Sequence, residues 1–492
     1  MSLEKVFKRI DADRDEYVRR CQELLRQPSV SGDREDVHRC AEMVRDMIRE
    51  TGAQAELVQV EGEGNPVVYG KLLSPGAHHT LTAYQMYDTQ PVGEFDKWAS
   101  GPFEAKLVDG KIVARGAINS KGALVSELMA IKALRETAGV PVNIVFTFDG
   151  EEEVGSWQLR RFLKEHPEKM LKAEAEWCPS TFSTAYRDTR ITLGGKGCID
   201  LQLVCDHSRG PVHSSCAPVV ANPAWRLVWA LESMKSEDGR IAIDGFYDGV
   251  KGPEPGDREL LEKLAATGEE EKMRRQWGVK GFMRGLHGAN LIEAYVFEPT
   301  LTINGLQSGY VGPAAYTINP PWAKANMDIR LVPSMDADDI WNKVEAHLKK
   351  HGLDDVELKL NGWKANAHRS PADTRIVAAH RAAIKDLGFN EPLIYPMSGG
   401  TSPSMYYTAP PLKMVSASSG SDGMPPHFAH APNEWIGVEE FITTAKMCAA
   451  FLWEYSKNLA SETTTDNHFL HPGEKRGGSQ ITRKTDPFRK IR

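Results

Sequence analysis

The sequence predicts an α/β protein: a mainly parallel sheet flanked by helices, with a smaller α+β domain inserted into it. Three observations predict this. Short apolar runs at 67–69, 80–83 and 144–148 alternate with segments of helical period, as in a sheet covered on both faces. Strand-like segments at 198–205 and 322–332 interrupt that alternation and flank a charged helical stretch at 255–290. A helix–strand–helix order at 376–387, 412–416 and 438–455 then resumes the first style.

Taken in order, the first helix presents Val18, Cys21, Leu24 and Leu25 on one face, and the second presents Ala41, Val44, Met47 and Ile48. Gln27-Pro28-Ser29-Val30-Ser31 breaks the first, and Ser31 is the predicted cap of the second. The three apolar strands follow, with a helix at 122–137 before the third. In the insertion the strand at 322–332 runs into a helix at 336–350. The expected division is 1–199 and 363–460 for the larger domain and 200–362 for the insertion. Residues 461–492 form a polar, basic, solvated tail. A length of 492 residues agrees with two or three domains.

Composition excludes several function classes. A net charge of −7 provides no basic surplus to neutralise phosphates, so no nucleic-acid partner is expected. The charged N-terminus has no apolar run behind it, so neither a leader nor a membrane span is expected. Seven scattered cysteines, odd in number and without CxxC spacing, read as free thiols in a reducing compartment, the cytoplasm. There is no GxSxG elbow, no GxxxxGK[ST] loop and no GxGxxG after a strand.

Polar groups gather where the apolar strands end, the usual place for sites in such sheets. These are Tyr84-Gln85-Met86-Tyr87-Asp88-Thr89-Gln90-Pro91, then Asp149-Gly150-Glu151-Glu152-Glu153, and a third segment, His427-Phe428-Ala429-His430. Read alone, the acid run is equally a solvated turn, and the HxxH pair a surface or capping pair.

These segments lie in the order of the M20 metallopeptidases, which the chain resembles up to about residue 458. YQMYDTQP at 84–91 is similar to the family's YGHYDVQP, and GAINSKG at 116–122 to its GASDDKG. EEEVGS at 151–156, SGGTSP at 398–403 and HAPNE at 430–434 continue the match. NGLQSGYVGP at 304–313 and AKANMDIRLVP at 323–333 resemble its dipeptidase and carnosinase branch. The resemblance implies a zinc-peptidase-like domain and a homodimer formed through the inserted lid. It implies two zinc ions sharing a carboxylate, which lower the pKa of a bound water.

Carried over residue by residue, that centre is degenerate here. Met86 falls on the first histidine, Asn119 on the shared aspartate and Ser180 on a third acidic ligand, so three of five ligand positions differ. Glu153 and His430 remain. With the Asn119 carbonyl oxygen, and His427 or water, they would hold at most one weakly bound zinc or manganese ion. Met86 is expected to fill space, and Cys178 is a poor substitute ligand. The resemblance makes Glu152 the general base and Asp88 the acid that orients the lost histidine. His213 would reach the partner's site and polarise the scissile carbonyl. Arg330 would clamp a substrate carboxylate, with Asn304, Gly400 and Thr401 as further contacts. Ser402 belongs to that substrate loop and is not read as a nucleophile.

The implied function is hydrolysis of a small carboxylate-bearing amide, amino-acid conjugate or dipeptide, with one weak metal or none. Crowded carboxyls without a cation are expected to hold a proton near neutral pH. A lyase or isomerase using the same acids, and a ligand-binding protein without turnover, are the alternatives.

Overall fold

A computed structural model describes residues 2–60, 62, 64–424 and 426–457; the tail expected at 461–492 lies outside the described residues. The main sheet has six strands, in the order Gln54–Val58, Val67–Leu72, Asn143–Asp149, Thr80–Met86, Ala175–Trp177 and Val415–Ser416. The pairings from Asn143–Asp149 onward are parallel. The first two pairings are antiparallel. The sheet is thus parallel where polar segments leave its strands and antiparallel at one margin.

The apolar run at 80–83 continues as strand to Met86, because Tyr84, Gln85 and Met86 are all buried. The helix Gly122–Thr137 covers the sheet and is buried on every side from Gly122 to Ile131. Val438–Tyr455 and Arg375–Asp386 join it in the main apolar core. The strand expected at 412–416 shrinks to Val415–Ser416, since Lys413 takes a φ of 53° that breaks extended pairing. Ser31 is not the cap of the second amphipathic helix. Asp33 is, its carboxylate accepting from the Asp36 amide at 3.3 Å.

A separate antiparallel sheet orders Thr300–Ser308, Trp322–Leu331, Gly197–Asp206 and Glu357–Ala365. Alternate residues Ala323, Ala325, Met327, Ile329 and Leu331 face inward, burying a second core under Pro223–Met234 and Ala337–Lys350. The charged stretch folds into Pro255–Ala266, Glu269–Trp277 and Gly288–Phe297. Its apolar residues Leu261, Leu264, Ile292 and Val296 pack with Met397, which follows the insertion in sequence. Limits of 200 and 362 for the insertion remain our proposed division. Among the described residues no helix is long and apolar enough to cross a membrane. All seven cysteines are free thiols.

Candidate active site

Met86 and Asp149 end neighbouring parallel strands in register, so the chain segments that follow them leave the sheet side by side. Asp88, fully buried, organises the acid turn from below. Its Oδ1 accepts from the Glu152 amide at 3.1 Å, and its Oδ2 from the Glu153 amide at 3.1 Å. The Ser31 hydroxyl donates to the same Oδ2 at 2.8 Å. Asp88 therefore has backbone partners in place of the histidine it was expected to orient. Glu151 anchors the turn from the other side, accepting from the Asn65 and Gln158 amides at 2.8 and 2.9 Å.

This packing favours the proton-bearing form of three of the acids. Burial lifts Glu152 from its ordinary 4.5 to about 8, with Glu153, Asp88 and Asp149 adding repulsion. Burial likewise lifts Asp88 to about 7, against the lowering effect of its hydrogen bonds, and Asp149 to about 8. Burial is the larger cause at all three acids, and the crowding expected from the sequence adds to it.

Glu153 faces a set of amides. Asn119 Nδ2 donates to Glu153 Oε1 at 2.8 Å and lies 2.9 Å from His430 Nε2. The third side of that triangle, His430 Nε2 to Glu153 Oε1, is 3.2 Å. Gln90 Nε2 donates to Glu153 Oε2 at 2.8 Å. The structure thus brings Glu153, Asn119 and His430 together, but Asn119 presents its NH2 group and not the carbonyl oxygen expected as a ligand. A carboxylate offers only acceptors, so the amide nitrogen is the end that must face it. His427 is also corrected. It is buried, bonds Glu440 Oε2 at 2.9 Å and packs against Trp435, so it cannot complete a metal set.

The Asn119 backbone is suspended from a buried ion pair. Glu434 Oε1 accepts from the Ile118 and Asn119 amides, each at 3.0 Å, while its Oε2 meets Arg115 Nη1 at 2.6 Å. Both side chains of the pair are 1% exposed. On the sheet side, Ser120 Oγ donates to Gln85 Oε1 at 3.3 Å, and Gln85 Nε2 donates to Glu127 Oε2 at 3.1 Å. Glu127 lies inside the apolar face of Gly122–Thr137, and burial pushes its carboxyl well above the usual range. Met86 is buried. Ser180 is exposed, and burial pushes the Cys178 thiol well above its ordinary value, which suits neither as an anionic ligand.

Two expected substrate residues do meet. Arg330 Nη1 donates to Thr401 Oγ1 at 2.9 Å, and its Nε to Asp328 Oδ2 at 3.1 Å. Gly400 closes the adjoining turn, its carbonyl accepting from Ser398 Oγ at 3.1 Å. His213 and Asn304 stand apart. His213 is exposed with Nδ1 2.8 Å from Ser215 Oγ, and Asn304 is exposed at an irregularity in its strand.

The donor set does not fit the two-ion centre that the resemblance implies. Among the described residues no three His, Cys, Asp or Glu side chains are grouped to hold a metal ion. The space between Glu153 and His430 is bridged by a hydrogen-bond donor. Sequence reasoning placed Gln85 and Gln90 in a site segment without a role, and missed the parts played by Ser31, Glu127 and the Arg115–Glu434 pair. One signal was available: Glu127 interrupts the apolar run GALVSELMAIKAL, where a charge needs a partner.

Comparison with known proteins agrees with the ordered motifs. The peptidase family M20/M25/M40 profile matches residues 87–231, and the peptidase dimerisation domain profile matches 202–356. A Cys-Gly metallodipeptidase of Schizosaccharomyces pombe is 25% identical over 92% of this chain and 98% of its own. The Beta-Ala-His dipeptidase of Mus musculus is 26% identical over 92% and 96%. An M20 family metallo-carboxypeptidase from Sulfolobus solfataricus superposes with a TM-score of 0.82 at 30% identity, over 90% of this chain and 99% of that one. Motif order, both profiles and that solved relative lead to one conclusion: the chain belongs to the M20 peptidase family.

Proposed function

We propose that this chain hydrolyses the amide bond of a small carboxylate-bearing substrate, a dipeptide or amino-acid conjugate, by acid–base catalysis at Glu152. The observation that carries the reading is geometric: Glu152 stands on a turn fixed by five hydrogen bonds to Asp88 and Glu151, where burial and the neighbouring Glu153, Asp88 and Asp149 lift its carboxyl to about 8. A carboxyl so poised exchanges protons near neutral pH. Its ionised form takes a proton from water as the oxygen adds to the amide carbon. It returns that proton to the nitrogen as the C–N bond breaks, leaving a carboxylic acid and an amine. Arg330, steadied by Asp328 and Thr401, offers a planar guanidinium to the substrate carboxylate. Relatives named as dipeptidases support this substrate class.

The lid carries the apolar surface of a dimer contact. Trp225 and Trp229 stack at 6.0 Å and are more than half exposed, and the edge strand Thr300–Ser308 exposes Ile303 and Leu306. In this reading His213, exposed on the lid, serves the partner's site.

The test is Glu152→Gln in the full chain, assayed on a panel of dipeptides and N-acyl amino acids. Turnover should fall at least about a hundredfold, while binding of the same compounds by calorimetry is kept. Unchanged turnover in the variant would sink the reading. A wild-type chain that binds without turning over would make it a ligand-binding protein.

A further inference from the structure

We infer that this chain carries an internal carboxamide where its family has the carboxylate shared by two ions: Asn119 lies between Glu153 and His430 and keeps a divalent ion out of the space between them. The inference rests on the family membership and not on the hydrolytic reading.

Geometry comes first. The three polar atoms, Asn119 Nδ2, Glu153 Oε1 and His430 Nε2, form a triangle with sides of 2.8, 2.9 and 3.2 Å. Zinc holds tetrahedral N and O donors at about 2.0–2.1 Å, which sets those donors about 3.4 Å apart. The triangle is drawn in below that spacing, to the dimensions of hydrogen bonds. Its third corner is an N–H donor, which repels a cation. The Glu153 carboxylate is an acceptor it serves, and His430 Nε2 lies within hydrogen-bond reach of the same amide nitrogen.

Occupancy comes second. The other oxygen of Glu153 is taken by Gln90 Nε2, so both oxygens already hold amide protons. An ion entering here would displace at least one amide and gain a single carboxylate and one imidazole.

The inner side of the turn repeats the device. Gln85 Nε2 donates to Glu127 Oε2, where burial favours the proton-bearing form of the acid. Three carboxamides thus each donate to a carboxyl oxygen: Asn119 and Gln90 to Glu153 on the turn, and Gln85 to Glu127 on the helix Gly122–Thr137. Hydrogen bonds from neutral amides satisfy these oxygens without the desolvation cost of burying a cation.

Nor is the Asn119 position loose. Glu434 grips the Ile118 and Asn119 amides at 3.0 Å from above, and Ser120 is tied to Gln85 at 3.3 Å from below. The backbone is held where a carboxylate at the same position would meet Glu153 and His430. One substitution therefore supplies a complete three-donor face. Asn119→Asp removes the donor, adds an anionic oxygen, and leaves two acidic groups that a cation would relieve.

The experiment uses the full chain and its Asn119→Asp variant, each saturated with zinc chloride or manganese chloride, desalted, and analysed for bound metal. Thermal unfolding is recorded with and without the added salt. Wild type should retain less than about a tenth of an ion per chain and show no metal-dependent rise in Tm. The variant should retain about one ion per chain and be stabilised by it, because ions that bind only the folded state raise its stability. Wild type holding about one ion per chain, lost in His430→Ala, would overturn the inference. So would a folded Asn119→Asp chain that takes up no metal, since the amide would then not be what excludes the ion. Should the variant not fold, the wild-type measurement decides alone. Metal content is read whether or not any dipeptide is turned over, so failure here and failure of the hydrolytic reading are separate results.

Discussion

Under the proposed correspondence with the family's two-ion centre, the outer and inner halves of the site are built in different ways. The outer half, Glu153 with His430, keeps two of the family's ligand residues and ties them together through Asn119. His430 retains access to solvent there, its side chain 55% exposed. The inner half keeps none. Met86 and Ser180 stand at its ligand positions, and the space beneath is filled by Gln85, Glu127 and Glu176, all buried. Glu127 Oε1 and Glu176 Oε1 lack hydrogen-bond partners. The outer half is polar and hydrogen-bonded, while the inner half is buried and holds acids whose proton-bearing form burial favours. The difference teaches that gathered acids are accommodated in two ways: by amide donors where the site meets solvent, and by favouring the protonated form where it does not.

The sharpest way to break the outer half alone is at its suspension. Arg115→Met leaves Glu434 as an unpaired charge at 1% exposure, still holding the Ile118 and Asn119 amides. Breaking a buried pair from one side costs about 3–5 kcal/mol, read as a fall in the urea midpoint at constant m-value. The Met side chain keeps most of the volume beneath Trp98, so the loss reports on charge more than on packing. Arg115→Met matching the wild type in midpoint would mean that the pair does not hold the outer half in place.

The inner half is tested by pH. Glu176 is fully buried and lifted by burial from 4.5 to about 7, while Ser416 Oγ donates to its Oε2 at 2.5 Å. An acid whose pKa is raised on folding binds more protons in the folded state. Its stabilising contribution is full below about 4.5 and is lost as pH rises toward 7. Glu176→Gln, a neutral mimic of the protonated acid, should match the wild type at pH 4.5. At pH 8 it should be more stable by on the order of 3 kcal/mol. Parallel stability curves across that range would show that Glu176 is not proton-bearing in the folded chain.

How much of this was legible in the sequence differs between the halves for physical reasons. Apolar periodicity gave the helix Gly122–Thr137 to the residue, and motif order pointed to Glu152, Glu153 and His430 as neighbours of one site. Arg330 and Thr401, separated by 71 residues, also meet. What was not legible is which end of a side chain faces its neighbour. The resemblance suggests a carbonyl donor at Asn119, yet Glu153 dictates its NH2. His427, three residues before His430, points away because the intervening backbone turns through positive φ at Phe428, 56°, and His430, 62°. Glu440 and Trp435 then claim its ring. The resemblance defines Asp88 through a lost histidine, while its two oxygens hold backbone amides 64 and 65 residues away. Hydrogen bonds of that kind depend on tertiary placement and leave no local pattern.

The smallest expected effect is at Met86. If the inner half is simply filled, its thioether is needed for volume and for nothing else. Met86 is 6% exposed, ends its strand beside Asp149, and leaves its carbonyl, not its sulfur, to accept from Ser120 Oγ at 3.4 Å. Met86→Leu conserves volume and apolarity, so stability should change by less than about 1.5 kcal/mol. Turnover and metal content should be unchanged. A soft-metal role for the sulfur would instead appear as bound copper lost in the variant. Met86→His is the informative companion, because it puts an imidazole into an apolar slot with a protonated acid network beneath. With Asn119 still an amide, that histidine has no shared carboxylate across from it. It should add no metal, and it should cost stability as a polar ring buried without a designed partner. Metal uptake by Met86→His alone would erase the distinction between the halves, since one inner ligand would then suffice where the outer pair does not.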